Sequence, residues 1–517
     1  MPNRFNPQTP RFFSLALTAL LSLALLAPAH GQTAPPPASQ ASTSGPFVPG
    51  RFLVLYRNHQ IDANAAAAAE ALGAHLIARH ELMGIAVLES VSEAARAQLA
   101  LGPNVEAIVP DLLLNAHELI TKPVETPNSQ TPDALYHSSQ GWAVRQVGGF
   151  GADGTPNAPV GPWNTTRGSG VRIAILDSGV DPLHPDIAPN LVFNLSEVVQ
   201  TALPSACDDG TPVDQQGHGT WTASLAAGAL GSGTGLVAGV APSASILNIK
   251  VLERLPATPT AADPTGCLGG QASGLMSWVI QGIEDAIANR ADIISMSLGT
   301  LVDITTGAGA GEQTLFNRAT LAAYNAGIVV IAAAGNDGFD TTDQQYVELP
   351  AQSTDVLAIV ASTNPACAQN LTAGATCVAG PVTLPYYSNY GAPLNALAAP
   401  GGSYPSGGAI APAASFNTVS GWITGACSSG KAGTVSGPPS DSAHSLGCFD
   451  LGHASYVQAM GTSASAPLVA GAAALILATN PTWTPEQVVS QLRLAAVTTS
   501  SLSTPQATVS TLLAPPQ

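Results

Sequence analysis

The sequence predicts an α/β fold: a doubly wound, mostly parallel sheet flanked by helices, preceded by a small α+β domain. Three observations predict it. First, VRIAILD (171–177), SILNIKVL (245–252), DIISMSL (292–298), GIVVIAAA (327–334) and VLAIVAS (356–362) are near-continuous apolar runs, the pattern of parallel strands covered on both faces. Second, helical patterns alternate with them. In ASGLMSWVIQGIEDAIANR (272–290), Met276, Val279, Ile280, Ile283 and Ile287 fall at helical spacing, and TLFNRATLAAYNA (314–326) repeats the pattern. Third, a short β-α-β-α-β series precedes them, separated by residues 112–165, which lack strong periodicity and are rich in Pro, Gly and Asn.

From the N-terminus, Arg4 and Arg11 precede the apolar FFSLALTALLSLALL (12–26), and Ala27-Pro28-Ala29 supplies the small residues of a cleavage site. This is the pattern of a secretory signal peptide over residues 1–29; a membrane anchor is the alternative reading of the same stretch. Residues 30–49 include a Pro/Ser/Ala-rich run and read as a flexible spacer. The small domain spans 50–117: strands at RFLVLY (51–56), GIAVLES (84–90) and VEAIVPD (105–111), and helices at NAAAAAEALGA (64–74) and SEAARAQLAL (92–101). Residues 118–517 follow as the main domain.

Composition narrows the function. The 517 residues are 45% hydrophobic, enough for a sizeable core, yet only 9% are charged, against about 25% in ordinary domains. Acids outnumber bases 33 to 16, and the net charge of -17 with no basic run argues against nucleic acid as a partner. After the signal, no stretch carries the pattern of a membrane-spanning helix, so no stable membrane insertion is expected. Six cysteines in a chain sent to an oxidising compartment imply disulfides. Cys367 with Cys377 and Cys427 with Cys448 would close short loops, leaving Cys207 with Cys267.

In a doubly wound sheet the site lies at the carboxyl ends of the strands, so the residues after each run carry the chemistry. AILDSGVDPLHPDI (174–187) places Asp177 where a strand opens into a loop, QQGHGTWTAS (215–224) sets His218 at a helix start, and GTSASAPLVAGAAALILATN (461–480) opens a long apolar helix with Ser463. Alone, each could be a capping or turn residue. Together they follow the order Asp, His, Ser, one of the known chain orders of a Ser-His-Asp constellation. An α/β-hydrolase would need the serine first, within Gly-x-Ser-x-Gly.

These motifs, with SMSLG (295–299), AAAGNDG (332–338) and GTSASAP (461–467), resemble the subtilisin-like serine proteases, or subtilases, over roughly residues 170–495. The unit ending in EAIVPD (106–111) resembles that family's inhibitory propeptide. The resemblance implies a secreted or extracytoplasmic serine endopeptidase made as a self-processing zymogen, with protein or peptide substrates, its own propeptide as intramolecular inhibitor, and a monomeric state. The alternative is a catalytically silent secreted binding protein of the same fold. It further implies Asp177, His218 and Ser463 as the triad and Asn336 as an oxyanion donor. Ser297, Leu298 and Gly299, with Ala333, Ala334 and Gly335, would line the substrate cleft.

No cofactor is required for that chemistry. Asp186 matches a family calcium ligand, but the loop GALGSGTGLVAG (228–239) lacks the asparagine many relatives place there, so a structural calcium ion stays open. Other departures are Trp221 in place of a second histidine, Ala464 after the serine, and an insertion over about 402–459. Self-cleavage is expected near residue 118. Among the acids at 337–348, Glu348 is the one expected to reach the specificity pocket. Because LLLNAHELITKP (112–123) offers no arginine and only a poorly placed Lys122, the expected preference is broad, for large apolar or neutral residues.

Overall fold

The computed structural model describes residues 46–117, 120–124, 131–363, 382–402, 422–430, 447–449, 455–499 and 502–506. The signal peptide, nearly all of the spacer, and Cys367 with Cys377 lie outside these.

The N-terminal domain comprises β1 (Phe47–Tyr56), α1 (Ala65–Glu70), β2 (His75–His80), β3 (Ile85–Glu89), α2 (Glu93–Leu99) and β4 (Val105–Ala116). The sequence reading lacked β2. It is an edge strand, paired with β3 alone among the described strands and with alternate positions open to solvent, so it has no apolar run to betray it. The sheet is two-faced. Phe52, Val54 and Tyr56 pack with the domain's own helices through Ala65, Ala69 and Ala95, whereas Leu53, Leu55, Val109, Leu112 and Leu114 face the main domain.

The chain then continues through β5 (Ile120–Pro123) and α3 (Trp142–Val147) into the main domain: β6 (Arg172–Asp177), β7 (Leu191–Ser196), α4 (His218–Ala227), β8 (Ser245–Lys250), β9 (Glu253–Leu255), β10 (Gln271–Leu275), α5 (Met276–Ala288), β11 (Ile293–Met296), β12 (Leu298–Asp303), α6 (Gly307–Asn325), β13 (Val329–Ala333), β14 (Tyr346–Leu349), β15 (Val356–Ser362) and β16 (Leu397–Pro400). It ends with β17 (Ile423–Ala426), β18 (Tyr456–Met460), α7 (Thr462–Thr479), α8 (Pro485–Ala495), β19 (Val497–Thr499) and β20 (Leu502–Gln506).

The central sheet runs β19-β20-β16-β15-β13-β11-β6-β8-β7, parallel except for the β19/β20 pair. Side chains alternate between its faces. Ile173 and Ile175 join the core made with α4 and α7, and Ala174 and Leu176 join the core made with α5 and α6. Helix α7 is long and apolar enough to cross a membrane, but it is buried inside the fold as the central core helix. Small residues permit that position: a Cβ on Gly471 would crowd the Ala226 carbonyl of α4.

The reading of 272–290 as one helix is corrected at its start. Residues 271–275 form strand β10, and the helix begins at Met276. Gly274 explains the break, since a Cβ there would overlap the Val251 carbonyl, and the strand ladders with β9 and β4. Similarly, SMSLG interrupts the run 292–298, which splits at Ser297 into β11 in the central sheet and β12 outside it.

Two contacts fasten the N-terminal domain. Asp111 caps α5, accepting from the Ser277 amide (2.9 Å) and hydroxyl (2.7 Å), while Arg51 donates to the same carboxylate at 3.1 Å. A carboxylate there meets the positive end of the helix. Arg318 of α6 donates to the Tyr56 (2.9 Å) and Met83 (3.2 Å) carbonyls and pairs with Glu106 at 2.7 Å.

Candidate active site

Asp177 ends β6 and is buried. Its Oδ1 lies 2.7 Å from His218 Nδ1 and accepts from the Ser178 amide at 2.7 Å; Oδ2 accepts from the Thr222 hydroxyl at 3.1 Å. His218 is the first residue of α4, and the preceding Gly217 has φ +117°, where a Cβ would overlap the Cys448 backbone. The helix start is held by Asp214, a residue the sequence reading missed. Its carboxylate accepts from the amides of Gly217 (2.7 Å), Gln216 (3.1 Å) and Thr220 (2.9 Å) and from the hydroxyls of Thr220 (2.6 Å) and Ser178 (2.9 Å). Its only signal was an acid four residues before the histidine. Trp221 fills the space behind the imidazole, 5.8 Å away between ring centroids, and donates to the Ile423 carbonyl at 3.1 Å.

Ser463 is the second residue of α7 and is fully buried. The GTSASAP motif has a physical explanation here. Pro467 has no N–H, so the Ser463 carbonyl lacks its normal helical partner four residues on. The Ser297 hydroxyl supplies the bond instead, at 2.9 Å, and the Ser463 hydroxyl donates to the Ser297 carbonyl at 3.2 Å. SMSLG and GTSASAP are thus two halves of one contact.

Asn336 follows β13 and Gly335. Its Oδ1 accepts from both the amide and the hydroxyl of Thr462, each at 2.9 Å. That fixes which way the side-chain amide faces, and Nδ2 donates to the main-chain carbonyl oxygen of His117. The turn that Asn336 would otherwise simply make is therefore an aimed donor beside Ser463.

His117 stands there because β4 extends into the main domain. Ser273, Gly274 and Leu275 of β10 pair with Asn115, Leu114 and Leu113 on one side, and Leu298 and Gly299 of β12 pair with Ala116 and Asn115 on the other. The His117 amide then donates to the Ser297 carbonyl at 3.1 Å. Beyond it, Ile120–Pro123 pairs with Met460–Val457 of β18, the strand leading to Ser463. A peptide strand thus enters and leaves across the serine. Of the residues expected to line this cleft, Ser297, Leu298 and Gly299 pair with it directly and Gly335 borders a pocket. Ala333 and Ala334 pack into the cores and pair with none of 113–117 among the described residues.

The His117 side chain enters that pocket, with Nε2 3.1 Å from Oε1 of the buried Glu348. His117 was the one basic side chain at the junction that the sequence reading passed over, and the broad apolar or neutral preference took no account of it.

Asp186 has a different use from the expected one. Its carboxylate accepts from the amides of Gly235 (2.7 Å), Leu236 (3.2 Å) and Val237 (3.4 Å) and from the Tyr456 hydroxyl (3.1 Å). Donors, not carbonyl oxygens, face it, so these residues do not fit a calcium ion. Among the described residues no group of three His, Cys, Asp or Glu side chains could hold a metal. The pairs Cys207–Cys267 and Cys427–Cys448 are both joined, each with Cα atoms 5.3 Å apart.

Residues 168–511 match the model of the subtilase family. The chain belongs to the subtilase family. Residues 33–111 match the fervidolysin N-terminal prodomain. Relatives include subtilisin E of Bacillus subtilis, 33% identical over 329 residues (64% of this chain, 61% of the relative). The intracellular serine protease of Paenibacillus polymyxa is 37% identical over 187 residues (35% of this chain, 47% of the relative). The chain thus spans about half to three fifths of the length of these relatives. Among solved structures, the epidermin leader peptide processing serine protease of Staphylococcus aureus superposes with a TM-score of 0.58 at 18% identity, covering 87% of this chain and 93% of that one. Fervidolysin of Fervidobacterium pennivorans, a keratinolytic enzyme related to subtilisin, gives 0.56 at 18% identity, covering 91% and 61%. At such identities the likeness to these structures shows a shared fold.

Proposed function

We propose that this chain is a secreted serine endopeptidase that cuts its own precursor between His117 and Glu118 and is held inactive by residues 50–117 until they dissociate. The observation that carries the reading is the Asn336 Nδ2 bond to the His117 carbonyl oxygen, with Oδ1 tied to Thr462 next to the serine. A donor locked on one carbonyl, beside a buried serine at a helix start, is the arrangement that stabilises a developing oxyanion.

In the reaction, the Ser463 hydroxyl turns from the Ser297 carbonyl to His218 Nε2, gives up its proton and attacks the His117 carbonyl carbon. The carbonyl oxygen takes the negative charge against Asn336 Nδ2 and the Ser463 amide at the helix N-terminus. His218 returns the proton to the Glu118 nitrogen as the bond breaks, leaving an acyl-enzyme on Ser463, and water hydrolyses it by the same route. Asp177 holds Nδ1–H and stabilises the imidazolium. Bound as β4, residues 113–117 occupy the groove that a substrate strand would take, which makes the propeptide an inhibitor after the cut.

Secretion rests on the N-terminal signal pattern, in keeping with the disulfides; protein substrates rest on the strand-binding groove, a monomer on the family resemblance, and no nucleic-acid partner on the acidic composition. The test is hydrolysis of denatured casein by the processed protein, abolished by a serine-directed covalent inhibitor, with N-terminal sequencing that reads Glu-Leu-Ile-Thr. Casein left intact, or a new N-terminus elsewhere, overturns the reading.

A further inference from the structure

The pocket that receives His117 is built from Gly299, Gly335, Glu348 and Asn389. A Cβ on Gly299 would overlap Glu348 Oε1 and crowd the His117 ring, and one on Gly335 would overlap Asn389 Nδ2 and approach the Glu348 carboxylate to 3.0 Å. The glycines leave a narrow slot with a carboxyl group at its end.

That carboxyl group is unusual in having little protein to satisfy it. Its side chain is 1% exposed, and among the described residues Oε2 has only the long 3.5 Å contact to Asn389 Nδ2, while Oε1 accepts no hydrogen bond and meets the His117 ring at an ion-pair distance of 3.1 Å. A buried carboxyl without donors is costly unless something arrives to pair with it. In this structure the arriving group is the imidazole tip.

Resting on the proposed reading of residues 113–117 as the bound substrate strand, we propose that Glu348 makes this a histidine-selective protease, reading the imidazole of the residue before the cut bond. Depth favours histidine: Nε2 already lies at contact distance from Oε1, so the longer lysine and arginine would run past the carboxylate or buckle. Leucine and phenylalanine would present C–H and leave Oε1 buried without a partner. Charge favours it too. The groups facing Glu348 are His117, Asp337 and the neutral Asn389, and burial, with Asp337 adding repulsion, pushes the Glu348 carboxyl well up. An imidazole, which can carry a proton or accept one, shares a single proton with such an acid in either direction. A permanent cation would require the carboxylate to ionise.

Two measurements test this. In the full-length Ser463→Ala precursor, which keeps β4 in the cleft, thermal unfolding is compared for His117→Phe, Glu348→Gln and the double variant. Non-additive losses are expected, because each single change strands the other group; additive losses overturn the proposal, and this readout needs no catalysis. For the processed enzyme, kcat/KM near pH 6.5 is measured on Leu-Leu-Leu-Asn-Ala-X-Glu-Leu-Ile-Thr peptides with X as His, Phe, Leu, Gln, Lys or Arg. Histidine should exceed the others by about tenfold or more, roughly 1.4 kcal/mol, and Glu348→Gln should remove most of that margin. Lysine or arginine ahead of histidine, or a histidine preference unchanged by Glu348→Gln, overturns it. A protein that cuts no peptide and does not react with a serine-directed phosphonate defeats the proposed catalysis, while the precursor cycle still decides the pocket.

Discussion

Two buried carboxyl groups, Asp177 and Glu348, each lie against a histidine ring and are treated oppositely by the fold. Asp177 has an amide, a hydroxyl and the His218 ring around it. Among the described residues, Glu348 has one distant side-chain amide and otherwise the imidazole of His117. The difference teaches what each acid is for. A carboxylate whose lone pairs are filled by its own domain is a fixed positioning device, and one left short of donors waits for a ligand. Changing the first should damage every turnover, and changing the second should alter which turnovers occur.

The largest expected effect is at Ser463. Ser463→Ala should accumulate the uncut precursor with no mature protein, checked by electrophoresis of the protein purified free of other proteases; maturation at Glu118 would rule out self-processing. On the Asp177 side, Asp177→Asn should lower kcat by about 10⁴-fold, because the amide cannot hold the histidine in the right tautomer. If selectivity among P1 residues changed as well, the separation of roles drawn above would break.

Asn336→Ala comes next. Its expected loss in kcat is about 10²–10³-fold with little change in KM, the size known for removing one oxyanion-hole donor in a subtilisin. A near-normal kcat would return Asn336 to a turn. Thr462→Val, which removes the hydroxyl bond to Oδ1 but keeps the amide one, should cost less than Asn336→Ala. Steady-state kinetics on one peptide orders the two.

The smallest effect is in stability, and it concerns other buried acids. Burial pushes the Asp133 carboxyl up to about 6 and those of Asp186 and Glu312 up to about 7. Between an unfolded carboxyl value of about 4 and these raised values, the folded chain holds more protons than the unfolded one. The stability they contribute is complete below about pH 4 and is lost as pH rises through 6 to 7. The melting temperature of the Ser463→Ala precursor should therefore fall from pH 5 to pH 8. Glu312→Gln should make the slope shallower, and a melting temperature that rises over that range would contradict the assignment.

Much of the site was legible in the chain, for a local reason. Asp177 and Asn336 sit where an apolar strand ends, and His218 and Ser463 sit beside glycine at helix starts; the end of a buried strand is where a doubly wound sheet exposes its residues. Asp214 was less legible because four of its five bonds are made by a loop closing on itself and the fifth comes from the distant Ser178. His117 was passed over because a lone histidine in a stretch without periodicity carries no pattern of its own. The surroundings of Asp186, where calcium had stayed open, depend on the direction of neighbouring peptide groups, which is absent from residue identity.

The sequence by itself determined the alternation of the main strands and helices and picked out Asp177, His218, Ser463 and Asn336 as candidates, because hydrophobic periodicity and glycine placement act over neighbouring residues. Only the tertiary structure decided that β4 runs between β10 and β12, that the Pro467 gap is closed by Ser297, and that His117 meets Glu348. Each of these joins groups distant along the chain, and their pairing follows from the closing of the whole fold, which brings an unsatisfied donor and an unsatisfied acceptor to the same buried place.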